Sequence, residues 1–319
     1  AYKQVLNNLK HILTAMNVHF DNWFSEQWLH RSGYLKETIA ELKVKGHLYE
    51  KEGALWLKTS NFGDDKDRVL IRANGEPTYF AADIAYHRHK LERGYKKLIN
   101  IWGADHHGYV KRMQAAMVML GAPEDTLEII IGQLVNLFSG NRQIRMSKRT
   151  GEMVTLEELL KEIGSDAARY FFLMRSPDTP LDFDIELAKS QTSDNPVYYV
   201  QYAHARICSI LRKAAAQEVK PDGFKANLEL LTADPELALM RIIAEWPLIL
   251  KQAAERRCPY RLTQYAENLA TSFHFFYHEC RVISDDSQLT AARLSLVDST
   301  RMMLKNVLSL MGIGAPEKM

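Results

Sequence analysis

The chain has 319 residues and a formal net charge of +2, with 46% hydrophobic and 25% charged residues. That is the make-up of a globular protein with room for two domains. So small a positive excess excludes a generally basic nucleic-acid-binding protein, and any such contact has to be a local patch. Three cysteines, Cys208, Cys258 and Cys280, lie far apart with no Cys-x-x-Cys pair. This argues against a zinc ribbon or a disulfide framework and suits a reducing, cytoplasmic setting.

No apolar run approaches the roughly 20 residues of a membrane span, and no charged-then-apolar targeting segment opens the chain. The first residue is Ala1 rather than Met, so the amino end is expected not to be the natural start. Residues 1–73 are mostly helical in pattern. Val5, Leu6, Leu9, Ile12, Leu13 and Met16 recur at three- and four-residue steps, which makes one amphipathic face. A second helix, Tyr34 to Lys45, stops at Gly46. Two short strands, Ala54–Leu57 and Arg68–Arg72, follow.

Residues 74–140 form the next segment. Asn74-Gly-Glu-Pro77 is a turn, and Thr78 to Arg93 is a helix stopped by Gly94. The strand Leu98–Trp102 runs into Gly103-Ala-Asp-His-His-Gly108. A helix from Tyr109 to Leu120 ends at Gly121, and Leu127 to Phe138 is a further strand. Strand, helix and strand in that order imply a parallel sheet, with ligands beyond the carboxyl ends of its strands.

Residues 141–190 open on a basic loop, Asn141 to Gly151, carrying Arg142, Arg145, Lys148 and Arg149 with the hydroxyls of Ser147 and Thr150. Such a loop between strand and helix either holds phosphate charge or is a solvated basic turn. Thr155 with Glu158 is a capping box, opening helices Leu156–Ile163 and Asp166–Met174 with Gly164-Ser165 as stop and N-cap. Residues 191–319 contain four long helical stretches: Pro196–Ala216, Pro235–Ala253, Tyr260–Cys280 and Leu289–Met311. They predict a separate helical bundle.

Three groups of residues carry chemistry. Tyr79 and Asp83, four apart on one helix, share a face. A carboxylate there grips a guanidinium in a two-bond fork, or is an ordinary first-turn acid beside a packing tyrosine. Gly103 allows close backbone approach, and Asp105 at a strand end can accept ribose hydroxyls. A metal site from Asp105, His106 and His107 is disfavoured because adjacent side chains diverge. On the helix from Pro196, Tyr199, Tyr202, Arg206 and Lys213 adjoin a core stripe of Val200, Ala203, Ile207, Ile210, Leu211 and Ala214. Their rings and cations either bind RNA or form the border of the bundle core.

Arg145-Met-Ser-Lys-Arg149 resembles the second signature loop of the class I aminoacyl-tRNA synthetases, Lys-Met-Ser-Lys-Ser, with arginine at its first and last positions. Pro77-Thr-Tyr-Phe-Ala-Ala-Asp-Ile-Ala-Tyr86 and Trp102-Gly-Ala-Asp-His-His-Gly-Tyr109 resemble the bacterial arginyl-tRNA synthetases. Asn195 to Arg206 resembles the first helix of their anticodon-binding domain, and Ala315 to Met319 their closing residues. The resemblance implies an α/β plus all-α fold: the second half of a class I nucleotide-binding (Rossmann-like) fold, then a helical anticodon-binding bundle. It implies that Tyr79 and Asp83 hold arginine, and that Gly103, Asp105, His106, Met146, Ser147 and Lys148 meet ATP. Lys148, with Arg145, would offset charge on the phosphates as pyrophosphate leaves, and Tyr199, Tyr202, Arg206 and Lys213 would meet tRNA. ATP, accompanied by Mg2+, arginine and tRNA(Arg) are the implied substrates of a cytoplasmic monomer with no resident metal.

The family's first signature, His-Ile-Gly-His, does not occur. The 319 residues are therefore expected to be an incomplete enzyme, inactive alone. The rivals are another class I synthetase, such as the cysteinyl enzyme, and a non-catalytic tRNA-binding module. Against the first stands the lack of zinc-ligating cysteines.

Overall fold

The computed structural model describes residues 2–140, 142–144, 154–219, 221 and 223–319. The chain divides into two compact units. In chain order, α1 (Tyr2–Ala15) belongs to the larger unit, and Phe20–Leu134 with Pro177–Thr179 make the smaller one.

The smaller unit starts with α2 (Glu26–Arg31) and α3 (Tyr34–Val44). At the end of α3, the Gly46 amide donates to Lys43 and that of His47 to Leu42. This is the six-to-one closure expected of a glycine stop. β1 (Leu48–Lys51), β2 (Ala54–Leu57) and β3 (Arg68–Ile71) then form an antiparallel sheet in sequence order. The first of these strands was not expected. Leu48-Tyr-Glu-Lys51 lacks a clear alternation and is half-buried to exposed, so only its pairing with β2 defines it.

α4 (Tyr79–Glu92) is capped by Thr78, whose side chain accepts from the Ala81 amide. Pro77 lies outside the helix, bridged to Ile71. β4 (Leu98–Gly103), α5 (Val110–Met119) and β5 (Leu127–Gly132) are the expected parallel crossover, in register from Leu98 opposite Leu127 to Gly103 opposite Gly132. Both strand ends therefore reach the same level. Leu42, Leu57, Leu70, Ile84, Met113 and Met117 are the fully buried heart of this unit.

The expected strand Leu127–Phe138 is two strands. It breaks at Gln133, whose amide donates to the Pro177 carbonyl at 2.7 Å. β6 (Val135–Ser139) resumes in the larger unit, pairing antiparallel with β7 (Arg142–Ile144) and parallel with β8 (Leu181–Asp184). Between them α6 (Leu156–Leu173) carries the capping box in full: Thr155 Oγ1 accepts from the Glu158 amide, and Glu158 Oε2 from the Thr155 amide. Gly164, at φ 80° and ψ 164°, breaks α6 into the two expected helices.

After α7 (Ile185–Lys189), the described residues form four long helices: α8 (Pro196–Ala216), α9 (Asp234–Glu255), α10 (Tyr260–Glu279) and α11 (Ser287–Leu310). Their common core holds Val200, Ala203, Ile207, Leu269, Phe273, Phe276, Val297 and Leu304, all fully buried. Burying one such phenylalanine contributes about 2–3 kcal/mol. By contrast α1 buries no residue.

A tail follows α11 and is strapped along α8. Gln201 Nε2 donates to the Gly314 carbonyl, His204 Nδ1 to that of Pro316, and Arg212 Nη1 to that of Glu317. Two α6 side chains hold its root: Asp166 accepts from the Gly314 amide, and Arg169 Nε donates to the Met311 carbonyl at 2.6 Å. Among the described residues, the three cysteines are free and no helix is long and apolar enough to cross a membrane.

Candidate functional site

α4 and the end of β4 build an open cleft of about 870 Å³ in the smaller unit. Tyr79 and Asp83, expected to meet arginine, and His106, expected to meet ATP, line its wall together. Tyr79 is in the first turn of α4 and 80% exposed, so its ring is free to meet a ligand. Asp83, one turn on, is half-buried. The Tyr109 hydroxyl donates to its Oδ2 at 2.8 Å.

Burial pushes the Asp83 carboxyl above the usual carboxylate range, while the Tyr109 hydrogen bond pulls it back. Burial, with the Asp83 charge beside it, pushes the Tyr109 phenol up, so that it stays a donor. Tyr109 itself is fixed by aromatic neighbours: Phe80 and Trp102 each meet it edge-on at 5.7 Å between centroids. The Arg112 guanidinium lies 4.8 Å from its ring centre. The result is a carboxylate oxygen of fixed position on a mostly apolar wall, suited to a cation that carries its own hydrogen-bond donors.

Gly103, Asp105 and His106 fall where β4 passes into the turn Ala104–Tyr109. A Cβ at Gly103 would stand 2.7 Å from Asp105 Oδ1, the end of an exposed side chain that can turn aside. Asp105 and His106 are both exposed, with His106 Nε2 3.6 Å from Asp105 Oδ2. Neither Gly103 nor Asp105 is on the cleft wall; Gly103 ends β4 and Asp105 sits on the adjoining turn. No group of three His, Cys, Asp or Glu side chains that could hold a metal occurs among the described residues. Arg145, Met146, Ser147 and Lys148 lie outside the described residues.

Sequence reasoning missed Tyr109 as the partner of Asp83, although it closes the Gly103–Tyr109 motif. It also missed His87, Lys90 and Asn100, which line the same cleft. His87, four residues after Asp83, could have been found by helical spacing; Asn100 comes from β4 and had no such signal.

The larger unit has its own cleft, of about 380 Å³, beside α8. Tyr202, Arg206 and Lys213 line it. Arg206 Nη2 donates to the Tyr202 hydroxyl at 2.7 Å, and the guanidinium sits 5.2 and 5.1 Å from the rings of Tyr202 and Tyr277. Arg212 from α8, Tyr277 from α10, and Glu317, Lys318 and Met319 from the tail also line it. The tail's place could not be read from local pattern. Tyr199 is not on the lining: its hydroxyl donates to Thr271, and its ring meets that of His274 at 5.0 Å, while His274 also stacks on Tyr202 at 6.0 Å.

Residues 3–178 match the family described as tRNA synthetases class I (R), catalytic domain, and residues 200–319 match the DALR anticodon binding domain. The chain is 54% identical over 320 residues to the arginine–tRNA ligase of Moorella thermoacetica. It is 53% identical over 321 residues to that of Desulfitobacterium hafniense. Each alignment takes in all of this chain and 57% of the relative, so the chain spans little more than half the length of these curated proteins. The arginyl-tRNA synthetase of Thermus thermophilus superposes with a TM-score of 0.84 at 26% identity, covering 100% of this chain and 64% of that one. A catalytic-domain match over more than half the chain, with a helical anticodon-binding domain behind it, places this chain in the arginyl-tRNA synthetase family of class I.

Proposed function

We propose that the chain carries the arginine cleft, part of the ATP site and the tRNA-binding bundle of an arginine–tRNA ligase. In that reaction arginine and ATP give arginyl-adenylate and pyrophosphate, and the arginyl group then passes to the terminal ribose of tRNA(Arg). The observation that carries the reading is Asp83. A half-buried carboxylate, held at one oxygen by Tyr109 and sharing the cleft wall with the exposed Tyr79, offers its other oxygen to a guanidinium.

The division of labour follows the segments. Residues 74–140 take arginine and adenosine, with Gly103, Asp105 and His106 against the nucleoside. Residues 141–190 act on the phosphates, where Lys148 and Arg145 neutralise charge developing as pyrophosphate departs. Mg2+ arrives on the ATP, bound by phosphate oxygens and water. Residues 191–319 hold tRNA, with Tyr202, Arg206 and Lys213 around one cleft and Tyr199 beside it. Residues 1–73 connect. The reading places a monomer in the cytoplasm. The protein's part is mostly positioning and charge complementarity. Because the His-Ile-Gly-His signature is not in this sequence, these 319 residues alone are proposed not to charge tRNA.

Incubating the purified chain with bulk tRNA, ATP and each labelled amino acid tests this. Charging with any amino acid but arginine contradicts the substrate assignment. Charging with arginine alone supports it and overturns the proposal of inactivity. No charging agrees with that proposal and leaves arginine binding as the test of the cleft.

A further inference from the structure

On α4, His87 and Lys90 follow Asp83 by four and seven residues, so the three project from one face. Helical side chains lean toward the amino end of their helix, which carries the Lys90 stem back toward the carboxylate. The hydrogen bonds among these groups run in a single direction. The Asp83 main-chain carbonyl can only accept, so His87 Nδ1, 2.7 Å away, bears the proton. His87 Nε2 is then a lone pair and accepts from Asn100 Nδ2 at 2.7 Å. That leaves Asn100 Oδ1 to accept from Lys90 Nζ at 3.2 Å.

Burial holds His87 down to about 4, so the imidazole stays neutral and the chain of bonds intact. The Tyr86 ring completes the seat, with the ammonium 4.4 Å from its centre. Two elements thus fix one cation on the wall of the cleft that Asp83 also lines. Four charged or titratable groups act on Asp83 from the surrounding elements: Glu26 of α2, His106 and Tyr109 of the turn after β4, and Lys90 of α4 itself. Burial and Glu26 favour the neutral acid; Tyr109, Lys90 and His106 favour the carboxylate.

We propose that Lys90, seated by Asn100, His87 and Tyr86, is a positioning residue. It is the resident cation on that wall that favours the charged form of Asp83, ready for a cationic side chain. The proposal rests on the reading of Asp83 as the carboxylate that receives arginine. It has a distinctive consequence. Lys90 also repels an incoming guanidinium, so removing it weakens arginine binding only where Asp83 becomes protonated, and elsewhere leaves binding equal or tighter.

The test is the carbon-13 titration of the Asp83 carboxyl in the ligand-free chain, paired with arginine titrations across the acidic-to-neutral range. In Lys90→Met the Asp83 midpoint is expected to rise by about one pH unit. Lys90→Arg should restore it, and Asn100→Ala should give a smaller rise. The arginine affinity profiles of the parent and Lys90→Met should cross as pH falls. An unmoved Asp83 midpoint in a folded Lys90→Met chain overturns the proposal, as does a parallel loss of affinity at every pH. The underlying reading fails separately, if Asp83→Asn leaves arginine affinity unchanged.

Discussion

Tyr109 donates its hydroxyl to Asp83 Oδ2 at 2.8 Å, joining the turn after β4 to the face of α4. This bond fixes which carboxylate oxygen is free for a ligand. Tyr109→Phe keeps the ring packed between Phe80 and Trp102 and removes only the donor. Losing a hydrogen bond to a charged group costs about 1.5–3 kcal/mol. Arginine binding should therefore weaken roughly tenfold or more at neutral pH. The loss should deepen as pH falls, since the carboxyl, already raised by burial, loses the bond that lowers it. Calorimetric titration at two pH values measures both effects.

His87 gives the fold a pH dependence of definite sign. Burial first, and the Lys90 charge next, lower it from 6.5 to about 4 in the folded chain. The unfolded chain binds the proton more readily, so the contribution is present above pH 6.5 and is lost as pH falls toward about 4. The full loss is about 3 kcal/mol. His87→Gln should flatten this part of the stability profile, read by urea unfolding from neutral to mildly acidic pH.

A side chain at Gly312, in the tail, would be strained and crowded. Gly312 sits at φ 68°, and a Cβ there would lie 2.8 Å from the Arg169 guanidinium. That guanidinium also donates to the carbonyls of Met311 and Met16. Gly312→Ala should destabilise the larger unit by about 1–3 kcal/mol, seen as a lower unfolding midpoint. In the background Arg169→Ala, where the clash is gone, the added cost should shrink to the backbone strain alone.

Tyr202→Ala with Arg206→Ala should weaken tRNA binding about tenfold and lower its salt dependence, because one cation and one stacking ring leave the cleft. Both side chains are partly exposed, so the melting temperature should hold. If affinity holds and only the melting temperature drops, these residues serve the bundle rather than RNA.

What the sequence disclosed and what it withheld follow from range. Thr78, Gly94, Gly121, Thr155 and Gly164 act within a few residues of themselves, and the elements they bound were legible. So was the α8 stripe, whose Val200, Ala203 and Ile207 are fully buried. β1 was not legible, because only its pairing with β2 makes it a strand. The single strand read across Leu127–Phe138 failed for a similar reason: the break at Gln133 depends on Pro177, distant in sequence. At the cleft, helical spacing gave Tyr79 with Asp83, but Asn100 and Tyr109 reach α4 only through the fold. In the α8 cleft the motif supplied Tyr202 and Arg206, while Tyr277 and the tail came from tertiary packing.

The central claim is that the Asp83 cleft recognises a guanidinium. Calorimetric titration of the chain and its Asp83→Asn variant with arginine and with citrulline, its neutral isostere, tests it most directly. Arginine should bind the parent chain, citrulline should bind far more weakly, and Asp83→Asn should lose about a hundredfold in arginine affinity. Equal binding of arginine and citrulline, or an Asp83→Asn variant with undiminished arginine affinity, would contradict the account.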